Sequence, residues 1–127
     1  EVNEAPPPVV GERLFATPPN VTLGPLDIVV DGRARGFVIE MRAGRFHGFV
    51  VRRGEEVHGY VDRCPHMGLP LARDLDEYVT PKGDLLMCSW HGAMFRIDDG
   101  LCVGGPCGGA SLQPWPVAVK DGMLVTA

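Results

Sequence analysis

Two short segments, Cys64-Pro65-His66 and Cys88-Ser89-Trp90-His91, each place a thiol and an imidazole within a few residues of one another. A site that uses both must bring together two loops separated by residues 67–87, and any fold for this chain has to meet that demand. Each pair follows a strand-like run and is followed by a glycine, Gly68 or Gly92. Two kinds of metal site take two Cys and two His. One is a tetrahedral Zn²⁺. The other is a [2Fe–2S] cluster with both thiolates on one iron and both imidazoles on the other. Zinc fingers commonly draw a Cys pair from one knuckle and a His pair from a helix. Here each loop supplies one of each, which suits a two-iron cluster held between the loops.

The rest of the chain reads as turn-rich β structure. Among 127 residues, 17 are Gly and 12 are Pro, and stretches with helical period are few. The length fits one domain. Residues 1–11, with Pro6, Pro7 and Pro8 in a row, read as a loose arm, since consecutive prolines can enter neither a helix interior nor a sheet ladder. From Glu12 the pattern becomes strand-like, and residues 18–27 read as loop. Asp31-Gly32 is a strong turn signal between β-branched runs. Phe46–Arg52 and Glu56–Val61 read as strands around Arg53-Gly54-Glu55. Val57, Gly59 and Val61 then share one face, and His58 and Tyr60 share the other. Residues 71–79 read as a helical turn or an irregular excursion. Asp84–Met87 and Ala93–Ile97 read as strands, residues 104–116 as a loop, and 117–127 as a closing hairpin turning at Asp121-Gly122.

Composition narrows the partners. The net charge is −4, with 4 basic and 7 acidic side chains over residues 64–127. There is no basic stripe, which argues against nucleic acid as a partner. No apolar run approaches the roughly 18 residues of a membrane span, and no signal-peptide pattern is visible, so a cytoplasmic location without membrane contact is expected. No Ser-His-Asp arrangement, phosphate loop or paired-carboxylate motif stands out. No substrate chemistry of the chain's own is therefore visible, and it is not expected to be an enzyme.

The order Cys64-x-His66 … Cys88-x-x-His91 resembles the signature of Rieske [2Fe–2S] proteins. Its flanks are similar too: Cys64–Leu71 resembles the first cluster loop, His91-Gly92-Ala93-Met94-Phe95 through Gly100 the run after the second, and Gly105-Pro106 the third, proline-bearing loop. The resemblance covers about residues 12–127. It implies an all-β, Rieske-type antiparallel sandwich with a small cluster-binding subdomain at about 62–109. It also implies one [2Fe–2S] cluster per chain on Cys64, His66, Cys88 and His91, with the imidazoles at an exposed tip. High-potential relatives add a cysteine to each loop, and here Leu69 and Trp90 stand in those places. They also carry a Ser and a Tyr after the second loop, where this chain has Ala93 and Phe95. Fewer donors to sulfur disfavour the more negative reduced cluster, so a potential near the low end, about −150 mV, is expected.

That pattern looks like an oxygenase-type ferredoxin, whose partners are a reductase and an oxygenase. A small Rieske subunit docked in a larger oxidoreductase, and a zinc-stabilised binding module, are the alternatives. Cys102 and Cys107 leave three readings open: thiols packed near the cluster, taken first, a local disulfide, or metal ligands. His47 and His58 read as surface or core-edge residues. Met67 and Trp90 read as shields beside the ligands, Trp115 as core, and Asp74, Asp76 and Glu77 as a solvated face.

Overall fold

A computed structural model gives the fold and describes residues 12–63, 78–80, 82–88, 92–105 and 110–127. The arm at 1–11, residues 71–77 of the inter-loop excursion, and Cys64, His66, Met67, Leu69, Trp90, His91, Pro106 and Cys107 lie outside them. The strands among the described residues are β1 (Glu12–Leu14), β2 (Thr22–Pro25), β3 (Ala34–Met41), β4 (Gly44–Arg53), β5 (Glu56–Val61), β6 (Leu85–Met87), β7 (Met94–Arg96), β8 (Cys102–Gly104), β9 (Val117–Lys120) and β10 (Met123–Thr126). The only helical element among the described residues is a single 3₁₀ turn at Leu26–Ile28. No helix among them is long and apolar enough to cross a membrane.

Three small sheets result. In the first, β4 is central: β3 pairs antiparallel along one side, and β5 pairs antiparallel along the other from Gly48↔Val61 to Arg53↔Glu56. The second has the order β2-β10-β9 and the third β6-β7-β8, both antiparallel. The expected all-β architecture holds. One pairing departs from pure antiparallel, because β1 lies parallel to β4 with Glu12 opposite Gly44.

The period-2 alternation of β4 explains the layering. Phe49 and Val51 face one core, which also holds Tyr60, Tyr78, Leu86, Phe95, Ile97 and Leu112, and which joins the first sheet to the third. Phe46 and Val50 face the other core, with Val29, Val61, Trp115 and Leu124, which joins the first sheet to the second. The two faces expected for β5 are observed: Tyr60 enters the first core and Val61 the second.

Trp115 lies across two glycines of this sheet. A Cβ on Gly48 would come within 2.6 Å of the indole and of the Phe46 ring, and one on Gly59 within 2.4 Å of the Trp115 carbonyl oxygen. The indole N–H donates to Thr17 Oγ1 at 2.9 Å, which ties the segment after β1 to the core.

Residues 22–25, read as loop from Gly24 and Pro25, form β2 instead. Pairing with β10 overrides the local signals, the register shifts between Leu124 and Val125, and Pro25 ends an edge strand, where a missing N–H is tolerated. The turn at 31–32 forms with Gly32 at φ 80°, although the preceding residues make the 3₁₀ turn and not a strand. The closing hairpin is as expected, with Asp121 and Gly122 both at positive φ between Lys120 and Met123.

Tyr60 donates its hydroxyl proton to the Ile97 carbonyl at 2.5 Å and is 3% exposed. Burial, helped by Asp99 and Asp98, pushes its pKa up to about 12 from the usual 10.0. A phenol with a raised folded pKa contributes stability that is intact below pH 10 and lost as pH rises toward 12. Urea unfolding across that window should show stability falling with pH, and Tyr60→Phe should flatten the fall while costing about 1 kcal/mol at neutral pH. Equal alkaline slopes in the two proteins would refute the assignment.

Candidate metal centre

The third sheet carries the Cys–His segment of the second loop. β6 and β7 pair with Met87 opposite Met94, and the ladder extends by one more bond from the Cys88 N–H to the Ala93 carbonyl at 2.8 Å. The Gly92 N–H donates back to the Cys88 carbonyl at 2.9 Å, and Gly92 has φ 73°. A side chain at residue 92 would be strained in that conformation, which accounts for the glycine after His91. The strand–turn–strand expected from the sequence is thus present, shortened by one residue at the start and by one at each end of the second strand.

Neighbouring segments come to the same end of this sheet. Tyr78, Val79 and Thr80 run antiparallel beside β6: Val79 bridges Leu86, the Met87 N–H donates to the Tyr78 carbonyl, and the Thr80 N–H donates to the Leu85 carbonyl. On the other side β8 puts Gly104 opposite Met94. Gly105 follows at φ 86°, where an added Cβ would lie 2.7 Å from Ala93 Cα. The start of the third loop therefore packs directly on the end of the second, an approach that only a glycine permits.

Of the four expected ligands, Cys88 alone lies among the described residues. Its side chain is 0% exposed, packs in the first core and takes no part in a disulfide. Cys64, His66 and His91 lie outside the described residues. Among the described residues no group of three or more His, Cys, Asp or Glu side chains could hold a metal. The donor chemistry of Cys88 fits a metal–sulfur site: a thiolate shut off from water is unfavourable unless a cation takes up its charge. Ala93 and Phe95 are also 0% exposed, and neither side chain carries a hydroxyl. His47 and His58 are half-buried on β4 and β5, and Glu56 lies 3.5 Å from His58 Nε2.

Two features depart from the reading taken first from the sequence. Cys102 is disulfide-bonded, which overturns the thiol reading taken first for it; its partner lies outside the described residues. The competing disulfide reading needed only a turn able to bring two nearby cysteines within about 7 Å, and the glycine-rich stretch after β8 was the signal for it. The second feature is Tyr78, read as part of an excursion, which is 5% exposed and stacks on Phe49 with ring centroids 4.3 Å apart and planes 11° apart. An aromatic directly before the β-branched Val79 and Thr80 marked the return to the core.

A model of the Rieske [2Fe-2S] domain matches residues 28–118, so the chain belongs to that family and has its [2Fe–2S] cofactor. Solved structures share the fold. The ferredoxin of carbazole 1,9a-dioxygenase from Nocardioides aromaticivorans IC177 is 20% identical, with 87% of this chain and 98% of that chain covered and a TM-score of 0.66. A chain in the complex of reduced oxygenase and oxidized ferredoxin in carbazole 1,9a-dioxygenase is 24% identical, covering 84% and 91%, with a TM-score of 0.65. The Sphingomonas yanoikuyae B1 ferredoxin is 21% identical, covering 84% and 96%, with a TM-score of 0.62. No curated protein sequence matches this chain significantly.

Alkylation under denaturing, non-reducing conditions followed by mass spectrometry should leave Cys102 unlabelled, and prior reduction should expose two further thiols. Cys102→Ser should remove that reductant-dependent gain and lower stability by roughly 2 kcal/mol. Full labelling of Cys102 without reductant would overturn the disulfide.

Proposed function

We propose that this chain is a one-electron carrier serving an oxygenase system, with Cys64 and Cys88 on one iron and His66 and His91 on the other. The observation that carries the reading is the family match over residues 28–118 together with the Cys88–Gly92 turn, which holds a water-excluded thiol at the end of a rigid strand pair. When bound, the cluster supplies a one-electron couple and needs no substrate pocket.

The chain's own residues do the remaining work. The β6–β7 ladder fixes the backbone on both sides of the second loop, so the fold itself sets the position of the Cys88 backbone. Gly105 lets the backbone after β8 lie directly against Ala93. Ala93 and Phe95 offer no hydroxyl to a sulfur, which favours a low potential. Among the similar structures are ferredoxins of carbazole 1,9a-dioxygenase, one of them in complex with its oxygenase. By the same logic the partners here are a reductase that loads the electron and an oxygenase that receives it. The chain itself performs no substrate chemistry.

The test is spectroscopic. The purified protein should be red-brown, contain two irons, give a Rieske-type EPR signal when reduced, and titrate near −150 mV. Cys88→Ser should abolish the colour and the signal, whereas Cys102→Ser should keep both. A colourless protein with one zinc overturns the carrier reading, and a clearly positive midpoint overturns the assignment to the oxygenase type.

A further inference from the structure

We infer that Tyr78 and Asp62 form a clasp that closes the base of the first cluster loop and holds its ligands in place; this rests on the cluster reading above. The Tyr78 hydroxyl donates to Asp62 Oδ2 at 2.8 Å across 16 residues of sequence, and both residues are buried, at 5% and 7% exposure. Asp62 is the first residue past β5 and stands two residues before Cys64; its N–H donates to the His47 carbonyl on β4 at 2.9 Å. Tyr78 is where the described chain resumes, and its carbonyl accepts from the Met87 N–H at the end of β6 at 2.9 Å. One root of the loop is therefore fixed to the first sheet and the other to the third. The side-chain bond between the roots joins the two sheets at the end where Cys88 sits.

Several features hold the clasp in one geometry. The Tyr78 ring stacks flat on Phe49, so the hydroxyl has little freedom to swing away. Gly36 on β3 leaves room for that hydroxyl, since a Cβ there would lie 2.7 Å from it. A hydrogen bond to a carboxylate shielded from water is stronger than an exposed one. With both roots fixed, the loop between them pays less entropy to keep its ligands in position. Tyr78 is thus a positioning residue acting through the loop, and it needs no contact with the metal.

The experiment measures iron release from the holoprotein to a chelator, followed by the loss of visible absorbance. Tyr78→Phe keeps the ring stack and removes only the hydroxyl, and should release iron about five- to tenfold faster than wild type. Tyr60→Phe is the matched control: it deletes a buried tyrosine hydroxyl from the same core, but that hydroxyl is bonded at Ile97, on the turn between β7 and β8. At a similar loss of thermal stability, Tyr60→Phe should release iron at close to the wild-type rate. Asp62→Asn retains an oxygen acceptor but loses the charge, and should fall between wild type and Tyr78→Phe. Asp62→Ala should release iron at least as fast as Tyr78→Phe, and adding Tyr78→Phe to it should have no further effect. Equal acceleration by Tyr78→Phe and Tyr60→Phe would reduce the clasp to ordinary core stability and overturn it, as would additive effects of Tyr78→Phe and Asp62→Ala. A wild-type protein without iron would instead remove the cluster reading itself.

Discussion

A single strand buried on both faces organises this molecule. β4 spans Gly44–Arg53, and Phe46, Phe49, Val50 and Val51 on it are at most 1% exposed. A strand in a two-layer sandwich needs one apolar face, whereas a strand between two cores needs both. The run Phe49-Val50-Val51, with no polar residue in it, meets that second requirement. Because successive side chains point to opposite faces, Phe49 and Val51 recruit the third sheet while Phe46 and Val50 recruit the second. Shifting β4 by one residue would exchange the two faces and spoil both cores at once, so its register is strongly specified. The glycines at 48 and 59 belong to the same constraint, since Trp115 fills the space that they leave on the face of the second core.

The end that carries Cys88 inherits its position from that strand. Phe49 packs against Tyr60 and Tyr78, so the core that β4 nucleates reaches the root of the first loop. The same core contains Leu86, Cys88, Ala93 and Phe95, which carry the second loop, and Cys102, just before the third. Short strands such as β6, β7 and β8 could not be stable by themselves. They acquire stability by covering Phe49 and Val51, and so the end that carries Cys88 rests on the core beneath it. The second sheet sits on the opposite face of β4 and contributes stability without approaching Cys88, which separates the scaffold from the site.

Legibility in the sequence followed the range of the interactions. The faces of β5, the positive-φ hairpin at Asp121-Gly122 and the turn between Cys88 and Ala93 all rest on residues within a few positions of each other, and each was readable. Features built from distant partners were not. β2 exists because β10, about a hundred residues away, offers it a ladder, and no local signal in Val21–Pro25 announces that. The parallel pairing of β1 with β4 and the bond from Tyr78 to Asp62 are likewise tertiary choices. For the site, motif spacing singled out Cys88 and its turn, while the disulfide at Cys102 was one of several open readings. Spacing alone does not fix whether two thiols approach closely enough to bond.

The positions after the second loop show packing and redox character set by the same side chains. Phe95 pairs with Leu86 on one side and Cys102 on the other and is fully buried. A hydroxyl introduced there would enter an apolar core, and a buried hydroxyl left without a partner costs about 1–3 kcal/mol. In relatives with a tyrosine at the matching place, a cluster sulfur can serve as that partner, so the same bond that satisfies the core also stabilises the reduced state. A phenyl ring at 95 removes the need for the bond and its effect on the potential together. Ala93 is equally buried, and its backbone lies so close to Gly105 that a Cβ on residue 105 would come within 2.7 Å of it. With Phe95 and Ala93 in this core, packing alone satisfies both positions, and neither brings a hydroxyl to that end of the third sheet.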